Sequence, residues 1–278
     1  MTSSVVLTGT GVPVPDPERA GPGTLVRTGG LALQVDVGRA TVMRLAGAGT
    51  RPEDVDAVLL THHHSDHLTG LADLLLTRWI GGAHRTTIVA PDGPAADFAE
   101  RALDPWADDI DVRVAHVGHG GPPAVDVHRF TAAPEPVEVW RRDDVVVRAV
   151  SVRHEPVLPA VAYRIDGPDG GVVVSGDTAV CAEVERLAEG AEVLVHEVFL
   201  RSLTEATRAD AHLQALAAYH ADAVDLGAMA ARAGMPRLVL THLIPPPRRG
   251  YDDFVDEVRR GGYEGEVVVG PDLTEVRW

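Results

Sequence analysis

Apolar residues along this chain fall in short runs punctuated by glycine and proline, and most of the runs have strand length. Ser4 to Thr8 predicts a first strand, ended by Gly9-Thr10-Gly11 and a proline- and glycine-rich loop reaching Gly23. Thr24 to Arg27 and Leu31 to Val35 predict a hairpin around Thr28-Gly29-Gly30, with Asp36 at its end. Ala40 to Ala48 has helical spacing and stops at Gly49, with Pro52 beyond. Val55 to Leu60 then predicts a buried strand, and Leu68 to Leu76 the amphipathic helix after it. Further along, Thr86 to Ala90 predicts a strand and Pro94 to Leu103 a helix. Asp111 to His116, Ala124 to Phe130, Val137 to Trp140 and Val145 to Val152 follow as strands, a sheet-rich middle unlike a regular βαβ series. Ala160 to Ile165 and Gly171 to Val174 predict a hairpin, Val180 to Ala188 a helix and Glu192 to Val195 a strand. A helical region from Ala211 to Ala233 is expected to break near His220-Ala221-Asp222. Leu238 to Thr241 is the last predicted strand, stopped by Pro245-Pro246-Pro247, and no internal repeat is visible.

Composition narrows this picture. A chain of 278 residues with 45% hydrophobic content can bury a large core, and residues 1–278 are expected to form a single domain. The formal charge of −16 argues against a surface built to neutralise many phosphates, so a small substrate and no long nucleic acid are expected. Cys181 is the one cysteine, which excludes an intramolecular disulfide and a cysteine-rich zinc site. Neither a leader pattern nor a membrane-length apolar run is present, so a soluble cytoplasmic protein is expected.

The chemistry concentrates at Thr61-His62-His63-His64-Ser65-Asp66-His67, where a strand gives way to a helix. Alternate side chains of an extended segment share a face, so His62 and His64 point the same way, while Asp66 and His67 turn with the helix start. Two pairs of ligands can thus face two neighbouring ions, and neutral imidazole with carboxylate suits zinc and similar divalent metals. Thr61, His154, Asp177, His196 and His242 mark five strand ends carrying a metal-type or acid-base residue, which points to one site on one edge of the sheets. Asp36 can orient a metal-bound histidine from behind or cap a turn. His63 would point away, and His116, His119 and His128 read as surface or core residues. Arg78 and His84, with Trp79, are candidates for the substrate mouth, since a cation there would meet an anionic substrate.

The order His62-x-His64-x-Asp66-His67, His154, Asp177, His242, each after a strand, resembles the metallo-β-lactamase superfamily over nearly the full length. The resemblance implies an α/β fold of the αββα kind, two mixed sheets face to face with helices outside. It implies that His62, His64 and His154 hold one ion, that Asp66, His67 and His242 hold another, and that Asp177 bridges them. The ions would be zinc, with manganese or iron also compatible, and a water shared between them would attack the substrate. Leu7 to Gly11, Asp16 to Val26, Leu74 to Trp79 and Val239 to Pro245 resemble the arylsulfatase-like branch close to ribonuclease Z, whose members are often dimers. His196-Glu197 with His220 is similar to the acid-base elements of those families, which makes Asp66, Glu197 and His220 the catalytic candidates. His220-Ala221-Asp222 departs from the small hydroxyl residues usual after that histidine. Ribonuclease Z carries a basic tRNA-gripping arm where this chain has only Asp166 to Gly170, so hydrolysis of a small sulfate ester or phosphodiester is the expectation. Carboxylic ester or lactone hydrolysis and a scaffold recruited to a biosynthetic step are the alternatives.

Overall fold

The computed structural model describes residues 2–117, 120–207, 209–247 and 250–278; His119 and the Arg248-Arg249 pair after the triple proline lie outside these. The strands in chain order are β1 (Ser4–Gly9), β2 (Gly23–Thr28), β3 (Leu31–Val35), β4 (Ala57–Leu59), β5 (Arg85–Pro91), β6 (Ala124–Phe130) and β7 (Val137–Arg142). They continue with β8 (Val145–Ser151), β9 (Val161–Gly167), β10 (Gly170–Val174), β11 (Val193–Phe199), β12 (Arg237–Ile244), β13 (Glu266–Val269) and β14 (Glu275–Arg277). Two seven-stranded sheets form, one ordered β14-β1-β2-β3-β4-β5-β6 and the other β13-β12-β11-β10-β9-β8-β7.

Each sheet begins as an antiparallel meander and continues through parallel crossovers. In the first, β1, β2 and β3 pair antiparallel and β3 to β6 parallel. In the second, β7 to β10 pair antiparallel and β10 to β13 parallel. The two halves of the chain therefore repeat one topology, which the sequence does not display. The apolar alternation explains the layering. Val5, Leu7, Leu33, Leu59, Val147, Tyr163, Val193 and Val195 meet between the sheets. Leu45, Leu71, Leu74 and Ala96 pack helices on the outside of the first sheet, and Val184, Leu226, Met229, Phe254 and Val258 on the outside of the second. The expected αββα arrangement is what these faces build.

Bonds between the sheets fix the edge where the histidine cluster lies. Val161 N–H donates to the Thr61 carbonyl (3.0 Å) and the Tyr163 hydroxyl to the Leu60 carbonyl (2.7 Å), so the end of β4 is tied to β9. Leu243 N–H reaches the Thr10 carbonyl (3.3 Å) and ties the end of β12 to the loop after β1.

Some local expectations need correcting. Asp111 to His116 is not a strand but part of the helix Ala107–Val117. Its Val112 and Val114 alternate as a strand would, but Asp108 and Asp109 stand in the first turn and Asp109 pairs with Arg113 one turn on (2.8 Å). The helix expected from Leu68 is two pieces, Ser65–Leu68 and Leu71–Ile80. The helix Asp252–Arg260 and strands β13 and β14 were not anticipated from the sequence. The break in the Ala211 to Ala233 region is present, between helices Ala211–Ala217 and Ala223–Arg232, with Asp222 capping the second through Val224 and Asp225 N–H. Among the described residues no helix is long and apolar enough to cross a membrane.

Candidate metal centre

β4 ends at Leu59, and His62, His64, Asp66 and His67 follow on the turn into the helix Ser65–Leu68. His154 comes three residues after β8, and Asp177 three residues after β10. Gly176 permits that last turn: its φ is +61°, and a Cβ there would come within 2.8 Å of the Thr61 Cβ. His242 arrives differently, from inside β12. The β11/β12 register runs Glu197↔Thr241 and then Val198↔Leu243, so His242 is the unmatched residue of a bulge, with φ +44°. The bulge turns its ring towards the cluster.

All seven expected ligands converge. His62, His64, His154 and Asp177 form one group of donor atoms and Asp66, His67 and His242 another, the atoms in each lying within 4.8 Å of one another, and His220 comes within the same distance of Asp177 and His242. Asp177 faces both, with its Oδ2 3.9 Å from His62 Nε2, 4.0 Å from His154 Nε2 and 3.3 Å from His242 Nε2, and its Oδ1 3.2 Å from His67 Nε2. Asp66 Oδ2 lies 3.5 Å from His242 Nε2, and His64 Nδ1 lies 3.1 Å from His154 Nε2. His62 Nε2, Asp66 Oδ2, His67 Nε2, Asp177 Oδ1 and His242 Nε2 are buried without a hydrogen-bond partner. Buried polar atoms left this way are costly unless something else satisfies them, and nitrogen and oxygen donors at such spacings fit divalent cations. The residues present therefore suit the two metal ions expected.

The surroundings prepare these donors. Burial holds His62, His64 and His154 in the neutral form that ligates, pulling the His64 pKa down to about 4. Burial opposes charge on His67 too, but the Asp177 and Asp36 carboxylates outweigh it and raise its pKa, so ligation requires that proton to leave. Asp36 accepts from His67 Nδ1 (2.7 Å), Thr61 N–H (2.9 Å) and Thr61 Oγ1 (2.7 Å), and Thr61 Oγ1 in turn meets His62 Nδ1 at 2.9 Å. One carboxylate thus orients a ring from each ligand group. The loop after β1 closes against the same place, pinned by Asp272, which accepts from Thr10 N–H, Thr10 Oγ1 and Ala20 N–H.

His220 sits beside the cluster, its ring stacked 5.5 Å from His242 and edge-on to His154 at 5.4 Å. Its Nδ1 meets Glu197 Oε1 at 2.8 Å, and that oxygen also accepts from Thr178 and Ala221 N–H. Burial disfavours the imidazolium, but Glu197 more than offsets it and the pKa rises to about 9. His196 does not join them. On β11 it shares parity with Leu194, which packs under the outer helices, whereas Glu197 shares parity with Val193 and Val195 between the sheets.

Arg78 and His84 stand away from the centre, contrary to the substrate-mouth expectation. The Arg78 guanidinium is buried and donates to Thr86 Oγ1 and to the carbonyls of Pro52, Val55 and Arg85, at the beginnings of β4 and β5. His84 is exposed just before β5. Both lie at the sheet edge opposite the one where β4 delivers its histidines, so Arg78 braces the fold there. His63 is half-buried, while His116 and His128 are exposed. The Tyr219 backbone carbonyl, which meets His154 Nδ1 at 3.1 Å, was not legible beforehand, because a main-chain acceptor carries no residue signature.

Residues 24–243 match the family described as Beta-lactamase superfamily domain. A ribonuclease Z of Mycolicibacterium paratuberculosis is 40% identical over 278 residues, covering 98% of this chain and 97% of that protein. Among solved structures, the metallo-beta-lactamase fold protein YhfI from Bacillus subtilis superposes with a TM-score of 0.75 at 21% identity, covering 100% of both chains. The short form of human tRNase Z gives a TM-score of 0.72 at 19% identity, covering 98% of both. The full-length match to a ribonuclease overturns the expectation of a small anionic ester and no long nucleic acid. Net charge is a sum over the whole surface, whereas binding RNA needs a favourable potential only where the RNA lies. The chain belongs to the beta-lactamase superfamily, on its ribonuclease Z-like branch.

Proposed function

We propose that this protein is a metal-dependent phosphodiesterase that cleaves an RNA near its 3′ end, with a tRNA precursor as the substrate class. The observation that carries the reading is the His220–Glu197 pair packed against a complete set of seven metal donors, in a chain related over its whole length to proteins named ribonuclease Z. His62, His64 and His154 would hold one ion and Asp66, His67 and His242 the other, with Asp177 between them. When bound, the two divalent cations supply Lewis acidity, a water of lowered pKa and positive charge for the phosphate.

The chain's own residues do the rest. Glu197 fixes one ring nitrogen of His220 and favours the protonated ring, so the other nitrogen can donate a proton to the departing ribose oxygen. Asp66, shared between ligation and the floor of the site, faces His67 and His242 and keeps the second group of donors together. Arg153, exposed one residue before His154, and the half-exposed Arg39 supply cations for the flanking phosphates. β9 and β10 are joined by a turn at residues 167–170, so grip on the RNA comes from elsewhere on the surface. Hydrolysis of a sulfate ester has no support of this kind.

The test is an assay of protein loaded with zinc or manganese on a transcribed tRNA precursor with a 3′ trailer. Cleavage next to the trailer that stops on chelation and returns with added metal is expected. Turnover of bis(p-nitrophenyl) phosphate with the precursor left intact would refute RNA as the substrate. Activity confined to aryl sulfates or lactones would refute phosphodiester chemistry.

A further inference from the structure

A histidine that ligates a metal ordinarily donates its outer N–H to an acceptor that fixes the ring. Three of the ligands have one: His62 Nδ1 faces Thr61 Oγ1 (2.9 Å), His67 Nδ1 faces Asp36 Oδ2 (2.7 Å) and His154 Nδ1 faces the Tyr219 carbonyl (3.1 Å). His64 is half-buried, within reach of solvent. His242 differs, because its Nε2 faces Asp66 and Asp177 while its Nδ1 is buried and meets no acceptor among the described residues.

Across the strand pair stands a complementary group. Glu197 spends Oε1 on His220, Thr178 N–H and Ala221 N–H, while its Oε2 is buried without a partner. Glu197 and His242 are neighbours at the β11/β12 bulge, and both line one cavity of about 20 Å³ that borders the metal donors His67 and Asp177 and is also lined by Asp36, Ser175 and Thr241. The side chains of Glu197 and His242 are 1% and 3% exposed, so bulk solvent does not satisfy them. That volume holds a single water, and a buried water needs two to four polar partners such as these.

We propose that the cavity is a binding site for one water molecule, which accepts from His242 Nδ1–H and donates to Glu197 Oε2. Glu197 is then a positioning residue for a metal ligand as well as for His220, one carboxylate serving both through its two oxygens. The inference rests on the two-metal reading of the site.

Wild type, Glu197→Gln and His220→Asn are loaded with zinc, dialysed against graded chelator and assayed for bound metal, with circular dichroism melts to verify folding. A crystal structure of the loaded wild type is read for an ordered water between the two side chains. The expected result is two ions in wild type, one of them held roughly tenfold more weakly in Glu197→Gln, and wild-type affinity in His220→Asn. The water is expected within hydrogen-bond reach of Glu197 Oε2 and His242 Nδ1. Equal affinity in wild type and Glu197→Gln overturns the proposal, as does a dry cavity in a structure that resolves other buried waters, or a matching loss in His220→Asn. Wild type that takes up no zinc removes the two-metal reading itself, a result distinct from all of these.

Discussion

Asp36 shows how much one side chain behind the proposed ligands can govern. Its φ of +55° is uncommon for a residue with a side chain, yet aspartate and asparagine tolerate it, which makes Asp36→Asn a clean substitution. The change keeps shape and one acceptor oxygen but removes the charge that meets His67 Nδ1 and the Thr61 hydroxyl. Metal affinity should fall roughly tenfold to hundredfold, read by competition with a chromophoric chelator, with a melting profile close to wild type. Unchanged affinity would show that packing alone orients His67. Residues of this kind were half-legible: the sequence placed Asp36 at a strand end but left open whether it orients a ligand or caps a turn. Its contact with His67, 31 positions away, exists only once β3 and β4 lie side by side in parallel.

At the scale of elements, the site is a product of strand ends held in register across two sheets. Tyr163 on β9 is fully buried between the sheets, and burial raises its pKa, so it stays a donor to the Leu60 carbonyl immediately before the histidine cluster. Tyr163→Phe should cost about 1–2 kcal/mol in urea unfolding, because it removes the hydroxyl donor from the carbonyl of the fully buried Leu60. A loss within error of zero would mean that the neighbouring Val161–Thr61 bond suffices. β12 carries the other lesson. Leu238 to Thr241 was legible as a strand from its apolar run, but β12 continues to Ile244, and the bulge that presents His242 depends on pairing with β11. The helix Ala107–Val117 failed the alternation test for a related reason. A short, mostly exposed segment has too few apolar positions to distinguish period 2 from period 3.6.

For the whole molecule, the cluster gathers five imidazoles and two carboxylates at an edge where β4, β8, β10 and β12 converge, so ions bound there tie both sheets together. Chelation should therefore lower the melting temperature: saturation at a hundred times Kd contributes about 2.7 kcal/mol, or roughly 5–10 °C for a chain of this size. A melting curve indifferent to chelator and to added zinc would argue against ions that bridge the sheets. The residue types and order of the ligands, and most strands behind them, were written in the linear chain, because metal chemistry demands particular atoms and strands demand particular alternation. What folding alone decided was the direction in which each chemical group faces. Arg78 and His84 read as cations near a substrate but lie at the far edge, and His196 turns into the helix layer while Glu197, one residue on, turns to the site. Facing depends on long-range pairing and on which sheet covers which side, and neither is encoded in any local stretch of residues.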